Sequence, residues 1–453
     1  DWDAVGQLTR QQGPGIQRDY DWTRAYEPLT ITDTRWGEKR YDYDRNGQIT
    51  QTRHGDGSAE RFAYTPDLNI AATGGETDRF LNWQTTAAGV VRIAHGPKGE
   101  IVTLEHDACG RVIRRTVARK GFRPQTWTFE WNAQDQLVAA DGPNGRWRYG
   151  YDPFGRRIFK ESAGQREDFL WDGDVVARAG EVDWFFEPDS FRPMARCEAG
   201  ALFHIVNDHL GTPKEMFSEG GALAWSVDHD TWGTVRAVGR AVQPAAVGGG
   251  DYWVDETAVA GGYDPVFAAL PEANACPIRF QGQWEDAETG LYYNRFRYYE
   301  PFSGGYLSPD PIGVVAGYRN SSYVETPTKI MDVYGLAPCC KAENPRELYA
   351  ASRSKCGVEL NADQMREINN TLDRIRRGDT SQFPRDGIPY ENSSTKDVTS
   401  AILQPGNYTE WRVRSWPGAS QSGAMRIVHD SMTGRRYFSP NHYKCMIEIG
   451  GGY

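Results

Sequence analysis

One short phrase recurs through about the first 240 residues and limits the fold more than any other feature. An aromatic residue or His precedes Asp; two or three residues later comes Gly, and then an alternating polar and apolar run. It reads Trp2-Asp3-Ala4-Val5-Gly6, Tyr43-Asp44-Arg45-Asn46-Gly47, His106-Asp107-Ala108-Cys109-Gly110, Tyr151-Asp152-Pro153-Phe154-Gly155 and His229-Asp230-Thr231-Trp232-Gly233. Each copy predicts a strand end, a turn begun by Asp with Gly at a positive-φ position, and a new strand. A lone hairpin cannot bury its own apolar face, so the copies must stack side by side into one long antiparallel sheet. The aromatic and Asp residues are then scaffold, and the expected class is mostly β.

Composition agrees. The 453 residues include 49 Gly, 23 Tyr and 15 Trp, which favours short strands and turns over helices. No stretch of about 18 apolar residues occurs, so no membrane span is expected. The chain opens in mid-phrase at Asp1-Trp2-Asp3 and reads as a fragment whose delivery module would lie upstream. Residues 241–275, rich in Gly, Ala and Pro, read as an inserted loop. Seven cysteines are scattered without C-x-x-C spacing, so no metal centre or cofactor is expected. Cys356 and Cys445 are close enough to the ends of the last segment to pair; two free thiols fit equally well.

Downstream the phrases sharpen into a resemblance. Asn207-Asp208-His209-Leu210-Gly211-Thr212-Pro213, Arg279-Phe280-Gln281-Gly282-Gln283 and Glu288-Thr289-Gly290-Leu291-Tyr292-Tyr293-Asn294-Arg295-Phe296-Arg297-Tyr298-Tyr299 resemble the conserved end of RHS (YD-repeat) proteins. The resemblance covers residues 1–336. It implies a β-shell of spiralling antiparallel sheet that encloses a toxic cargo, with a self-cleavage region over about 279–336. Ser308-Pro309-Asp310-Pro311-Ile312-Gly313 and Asp332-Val333-Tyr334-Gly335-Leu336 resemble the two elements that close such a core. On that resemblance Asp310 and Asp332 cut the chain after Leu336. Two carboxylates held together would share a proton, supplying one acid and one base. The competing reading is that both aspartates only cap turns.

After Leu336 the phrases stop. From residue 337 there are 16 Lys and Arg against 13 Asp and Glu, a net of +3 in a chain whose total is −10. A mildly basic tail on an acidic carrier suits contact with a polyanion. Asn361-Ala362-Asp363-Gln364 predicts a capped helix start, with Met365, Ile368, Leu372 and Ile375 on one face. Strands are predicted at 408–413, 424–428, from 436 and at 445–449, which makes a small α+β domain over 337–453. Glu410, Arg426 and His442 then fall on successive strands or their ends. A carboxylate, a guanidinium and an imidazole on one face suit metal-free cleavage of RNA. Glu410 takes the 2′-OH proton, Arg426 holds the phosphate and His442 protonates the leaving oxygen, giving a 2′,3′-cyclic phosphate.

Phe383-Pro384-Arg385-Asp386-Gly387, Tyr408-Thr409-Glu410-Trp411-Arg412-Val413, Arg426-Ile427-Val428 and Asn441-His442-Tyr443 resemble, in order, the barnase-like guanyl-specific ribonucleases. The resemblance implies the same three roles, with Asn392 and Tyr443 near the bound base. Two positions depart from that pattern: its Asn-Arg-Glu loop reads Asn392-Ser393-Ser394, and Ser422 stands where a second Arg is usual. Arg412, Arg414 or Arg435 would have to supply that charge. The whole chain therefore reads as a secreted antibacterial effector, delivered into a target-cell cytoplasm. Its partners would be RNA, an acidic immunity protein, and a secretion apparatus or chaperone met through an upstream region. The alternatives are a YD-repeat adhesion or carbohydrate-binding protein without enzymatic activity, and a toxin tip of another nuclease type.

Overall fold

The computed structural model describes residues 1–240 apart from 4–5, 14, 67, 76–78, 87–88 and 189, then 276–311 and 321–336. Beyond these it describes 341–342, 364, 368, 371, 374–375, 388–389, 408–414, 422–430, 436–439 and 447–449. The chain divides into two units, 1–3 with 7–338 and 4–6 with 339–453. The proposed insert at 241–275 and Cys356 and Cys445 lie outside the described residues.

In the first unit an eight-stranded sheet runs from Arg10–Gly13 to Leu81–Asn82, and a sixteen-stranded sheet runs from Gln84–Thr85 to Val235–Arg240. In both, each strand pairs with the next in sequence. Side chains alternate as a strand with one buried face requires. In Gln125–Trp131, Trp127 and Phe129 are buried between exposed neighbours.

The repeated phrase has a definite geometry. Asp44 Oδ1 accepts the N–H groups of Asn46 and Gln48 at 2.8 and 2.9 Å; Asp152 Oδ1 accepts those of Phe154 and Arg156, both at 2.9 Å. Gly47 and Gly155 sit at φ 79° and 76°, where a Cβ is strained. The register shifts at the aromatic residue just before the Asp, at Tyr43 and Tyr151. The polar tip of that aromatic then reaches back one hairpin. Tyr43 Oη donates to Pro28 O at 2.8 Å, Tyr151 Oη to Leu137 O at 2.8 Å, and Trp171 Nε1 to Arg157 O at 2.7 Å. Tyr and Trp interchange here because both present a large apolar body with a donor at its end.

A third sheet of four strands, Trp284–Asp286, Leu291–Asn294, Arg297–Glu300 and Gly305–Tyr306, is buried on both faces. Charged side chains fix it to the sixteen-stranded sheet. Arg115 Nη2 meets Glu300 Oε1 at 2.8 Å, Arg157 Nη2 meets Asp286 Oδ1 at 2.9 Å, and Lys160 Nζ meets Glu288 Oε2 at 3.1 Å. Buried charges are tolerated only when paired in this way.

In the second unit a six-stranded sheet contains Lys341–Ala342, Ile388–Pro389, Tyr408–Arg414, Ser422–Asp430, Arg436–Ser439 and Ile447–Ile449. The last four strands fall on the segments the sequence pattern marks. The pairing of Lys341–Ala342 with Ile447–Ile449 is parallel, which the pattern did not indicate. Residues 364, 368, 371, 374 and 375 are helical. Arg374 Nη2 donates to Arg412 O at 2.9 Å, and its guanidinium lies 6.0 Å from the Trp411 ring centroid. The helix therefore covers the Trp411 face of the sheet. Among the described residues no helix is long and apolar enough to cross a membrane.

Candidate functional site

Two places gather the residues singled out above. At the junction, Asp332-Val333-Tyr334-Gly335-Leu336 folds as another copy of the repeat turn. Asp332 Oδ1 accepts the N–H of Tyr334 at 3.3 Å and of Leu336 at 3.1 Å, and Gly335 has φ 64°. A Cβ on Gly335 would lie 2.2 Å from Asn294 O, so close packing as well as φ demands glycine. The turn-capping reading of Asp332 is thus structurally correct, but its other oxygen does something else. Oδ2 accepts the Tyr306 hydroxyl at 2.7 Å and lies 3.4 Å from Arg297 Nη2.

The same Arg297 Nη2 lies 2.8 Å from Asp310 Oδ2, so the two carboxylates flank one guanidinium nitrogen. Arg297 stacks on Tyr306, 3.6 Å from its ring centroid, and its Nε donates to Gly335 O. Asn294 Nδ2 donates to Asp332 O and to Tyr306 Oη, both at 2.8 Å. Arg297, Asp310 and Asp332 are all buried. Burial is the largest influence on Asp332. It outweighs the opposing pull of Arg297, Tyr306 and the two backbone N–H groups, and the carboxyl is pushed up to about 6 from 3.8. The anticipated cause was a second carboxylate; the cause in the structure is desolvation. Leu336 is half-buried, and the residue after it lies outside the described set.

Arg297, Tyr306 and Asn294 carry no role in the sequence reading. Arg297 and Asn294 lie inside the quoted 288–299 motif, but only strand register shows that they meet Asp332.

The second place is the tail sheet. Glu410 pairs in register with Val428, and Arg412 with Arg426, so these four side chains share a face. Trp411, Val413, Met425 and Ile427 fill the opposite, buried face. Glu410 Oε1 lies 3.2 Å from Arg426 Nε and 3.8 Å from Arg412 Nε. Arg426 is buried and also donates from Nη1 to Met425 O at 2.8 Å. The structure therefore brings Glu410, Arg426 and Arg412 together. Asn392, His442 and Tyr443 lie outside the described residues.

Comparison with known proteins places the repeat portion. Residues 23–188 match the family model described as Teneurin YD-shell, and residues 202–238 match the one described as RHS protein. Over these residues the chain is similar to the RHS/YD-shell family. It is 32% identical over 372 residues to the "Probable deoxyribonuclease RhsB" of Dickeya dadantii (strain 3937), a match covering 76% of this chain and 23% of the relative. It is 27% identical over 383 residues to the "Double-stranded DNA deaminase toxin A" of Burkholderia cenocepacia (strain H111), covering 74% and 24%. Among solved structures, "Crystal Structure of TcdB2-TccC3-Cdc42" matches at 15% identity and TM-score 0.45, covering 75% of this chain and 19% of that one. The chain thus spans about a quarter of the length of the curated relatives it matches.

Proposed function

We propose that the chain is the C-terminal part of a secreted polymorphic toxin. Its YD shell carries residues 337–453 as cargo and releases them by cleavage after Leu336; the cargo is a metal-independent endoribonuclease. The observation that carries the nuclease reading is the Glu410–Arg426 pair at 3.2 Å on one sheet face. It sets a carboxylate base beside a phosphate-binding guanidinium, as 2′-OH attack requires. His442, as the general acid, would complete the set, while Asn392, Tyr443 and Arg412 would contact the nucleotide. The release reading rests on Asp310 and Asp332 around Arg297, with Asp332 able to donate a proton near neutral pH. An acidic immunity protein would protect the producer, and an upstream region would engage the export machinery.

The relatives' names favour a second reading, in which the tail acts on DNA. One digest separates the two. The 453-residue protein is incubated in EDTA with a labelled RNA and its all-deoxy counterpart. The ribonuclease reading expects RNA cut to cyclic phosphates, DNA untouched, and most activity lost in Glu410→Gln and His442→Ala. Intact RNA, or activity strictly dependent on Mg²⁺, contradicts it.

A further inference from the structure

Sequence spacing shows no metal-ligand cluster, yet the fold assembles one away from both places above. His54 lies between the strands Ile49–Arg53 and Ala59–Tyr64, Glu60 on the second of these, and Asp230 between Leu223–His229 and Val235–Arg240. All three are buried, and one possible ligand atom from each lies within 4.8 Å of the others.

Asp230 marks the place as unusual. Its backbone makes the ordinary repeat turn, with its N–H on Thr234 O at 2.8 Å, the Gly233 N–H on Asp230 O at 3.0 Å, and Gly233 at φ 88°. In the turns begun by Asp44, Asp152 and Asp332 the Asp side chain accepts two N–H groups. Here both carboxylate oxygens are buried and accept no hydrogen bond, as is also true of His54 Nδ1. A buried carboxylate without a donor is costly and calls for a partner. The nearest basic nitrogens are His54 Nε2 at 3.8 Å and Arg236 Nη1 at 3.6 Å, both beyond hydrogen-bond reach. Burial first, and then Glu60, push Asp230 up to about 8. Glu60 is itself fixed, accepting from Thr231 N at 2.9 Å and from Thr231 Oγ1 at 2.7 Å.

We propose that His54, Glu60 and Asp230 form a divalent-cation site, best suited to zinc, that clips the eight-stranded sheet to the last hairpin of the sixteen-stranded one. Zinc takes imidazole nitrogen and carboxylate oxygen at about 2.0–2.2 Å in a tetrahedron, which sets ligand atoms about 3.4 Å apart. His54 Nε2 lies 3.0 Å from Glu60 Oε2 and 3.8 Å from Asp230 Oδ1, on either side of that value. Calcium and magnesium need six or more oxygen ligands, several of them waters. The cavity beside the two carboxylates is instead lined largely by Phe62, Trp83, Trp232 and Phe302, with Thr73, Thr234 and His95 as its other polar side chains. A dication would also remove the repulsion between Glu60 and Asp230. Thr231 lies 171 residues along the chain from Glu60, so the clip would close a very long loop. The site is independent of both proposed activities.

The 453-residue protein is stripped with EDTA, exchanged into metal-free buffer, given Zn²⁺ alone and passed through gel filtration. One zinc per chain should be retained, with a melting temperature several degrees higher. Asp230→Asn and His54→Gln should each cut retention at least tenfold, while Asp152→Asn should not. No retention by the folded wild-type chain, or unchanged retention in both variants, overturns the proposal. Should either variant fail to fold, anomalous diffraction from wild-type crystals at the zinc edge decides: a peak among the three side chains supports the site, and its absence there overturns it.

Discussion

Asp152 and Asp332 each begin a turn of five residues, each accept two backbone N–H groups on Oδ1, and each have a left-handed glycine three positions on. Their second oxygens differ. Asp152 Oδ2 meets its own neighbour Arg156 at 2.6 Å in a side chain 14% accessible; Asp332 Oδ2 meets Tyr306 and Arg297 in one 3% accessible. At Asp152 burial is again the largest single influence and raises the carboxyl, but the Arg156 N–H, the Arg156 guanidinium and the Phe154 N–H together outweigh it and hold the carboxyl below its usual range. At Asp332 burial wins and the carboxyl rises to about 6. One scaffold turn thus becomes a candidate proton donor through its surroundings alone.

That contrast can be broken in several places. The largest effect is expected from Gly335→Val, which forces a side chain into Asn294 O and out of the allowed φ region. Displacing the turn should slow self-cleavage by about 100-fold, measured as the rate of band conversion on a gel. The counterpart, Gly155→Ala, is strained in φ, but its Cβ would meet no backbone: it would press on the flexible tip of Gln136 and make ordinary contact with Arg295 and Phe296, and it should leave cleavage unchanged.

The pH profile comes next. Asp332 keeps its proton up to about pH 6, so its acid form is lost as pH rises through that value, and cleavage should fall about tenfold per unit above it. Stability should follow the same sign. Between the usual 3.8 and about 6 the folded chain holds a proton that the unfolded chain has released, so stability falls as pH rises across that window. Because Arg297 is the chief influence lowering Asp332, Arg297→Gln should move the midpoint of cleavage upward. A stationary midpoint would place the titrating group elsewhere. The smallest effect is Asp152→Ala, which removes two turn hydrogen bonds; denaturant melting should show a loss of about 1 kcal/mol with cleavage intact.

The turns were legible because Asp and Gly at fixed spacing specify a backbone by themselves. The reach-back bonds of Tyr43, Tyr151 and Trp171 were not, since a donor 14 or 15 residues from its acceptor depends on register. The doubly buried sheet over 284–306 was also hidden, because Asp286, Glu288, Arg297 and Glu300 look like surface residues until their partners on distant strands are placed. In the tail, alternation revealed the face shared by Glu410 and Arg426, whereas the two-residue parallel strand Lys341–Ala342 is too short to carry a pattern. Asp230 shows the limit most clearly: its phrase is an ordinary repeat, and only its buried, undonated oxygens set it apart.

The most direct test is the intact mass of three purified chains: wild type, Asp332→Asn and Asp152→Asn. The account predicts fragments broken after Leu336 in the wild type and in Asp152→Asn, and an uncut 453-residue chain in Asp332→Asn. Fragments of the same mass from all three, or a break at another bond, would contradict it.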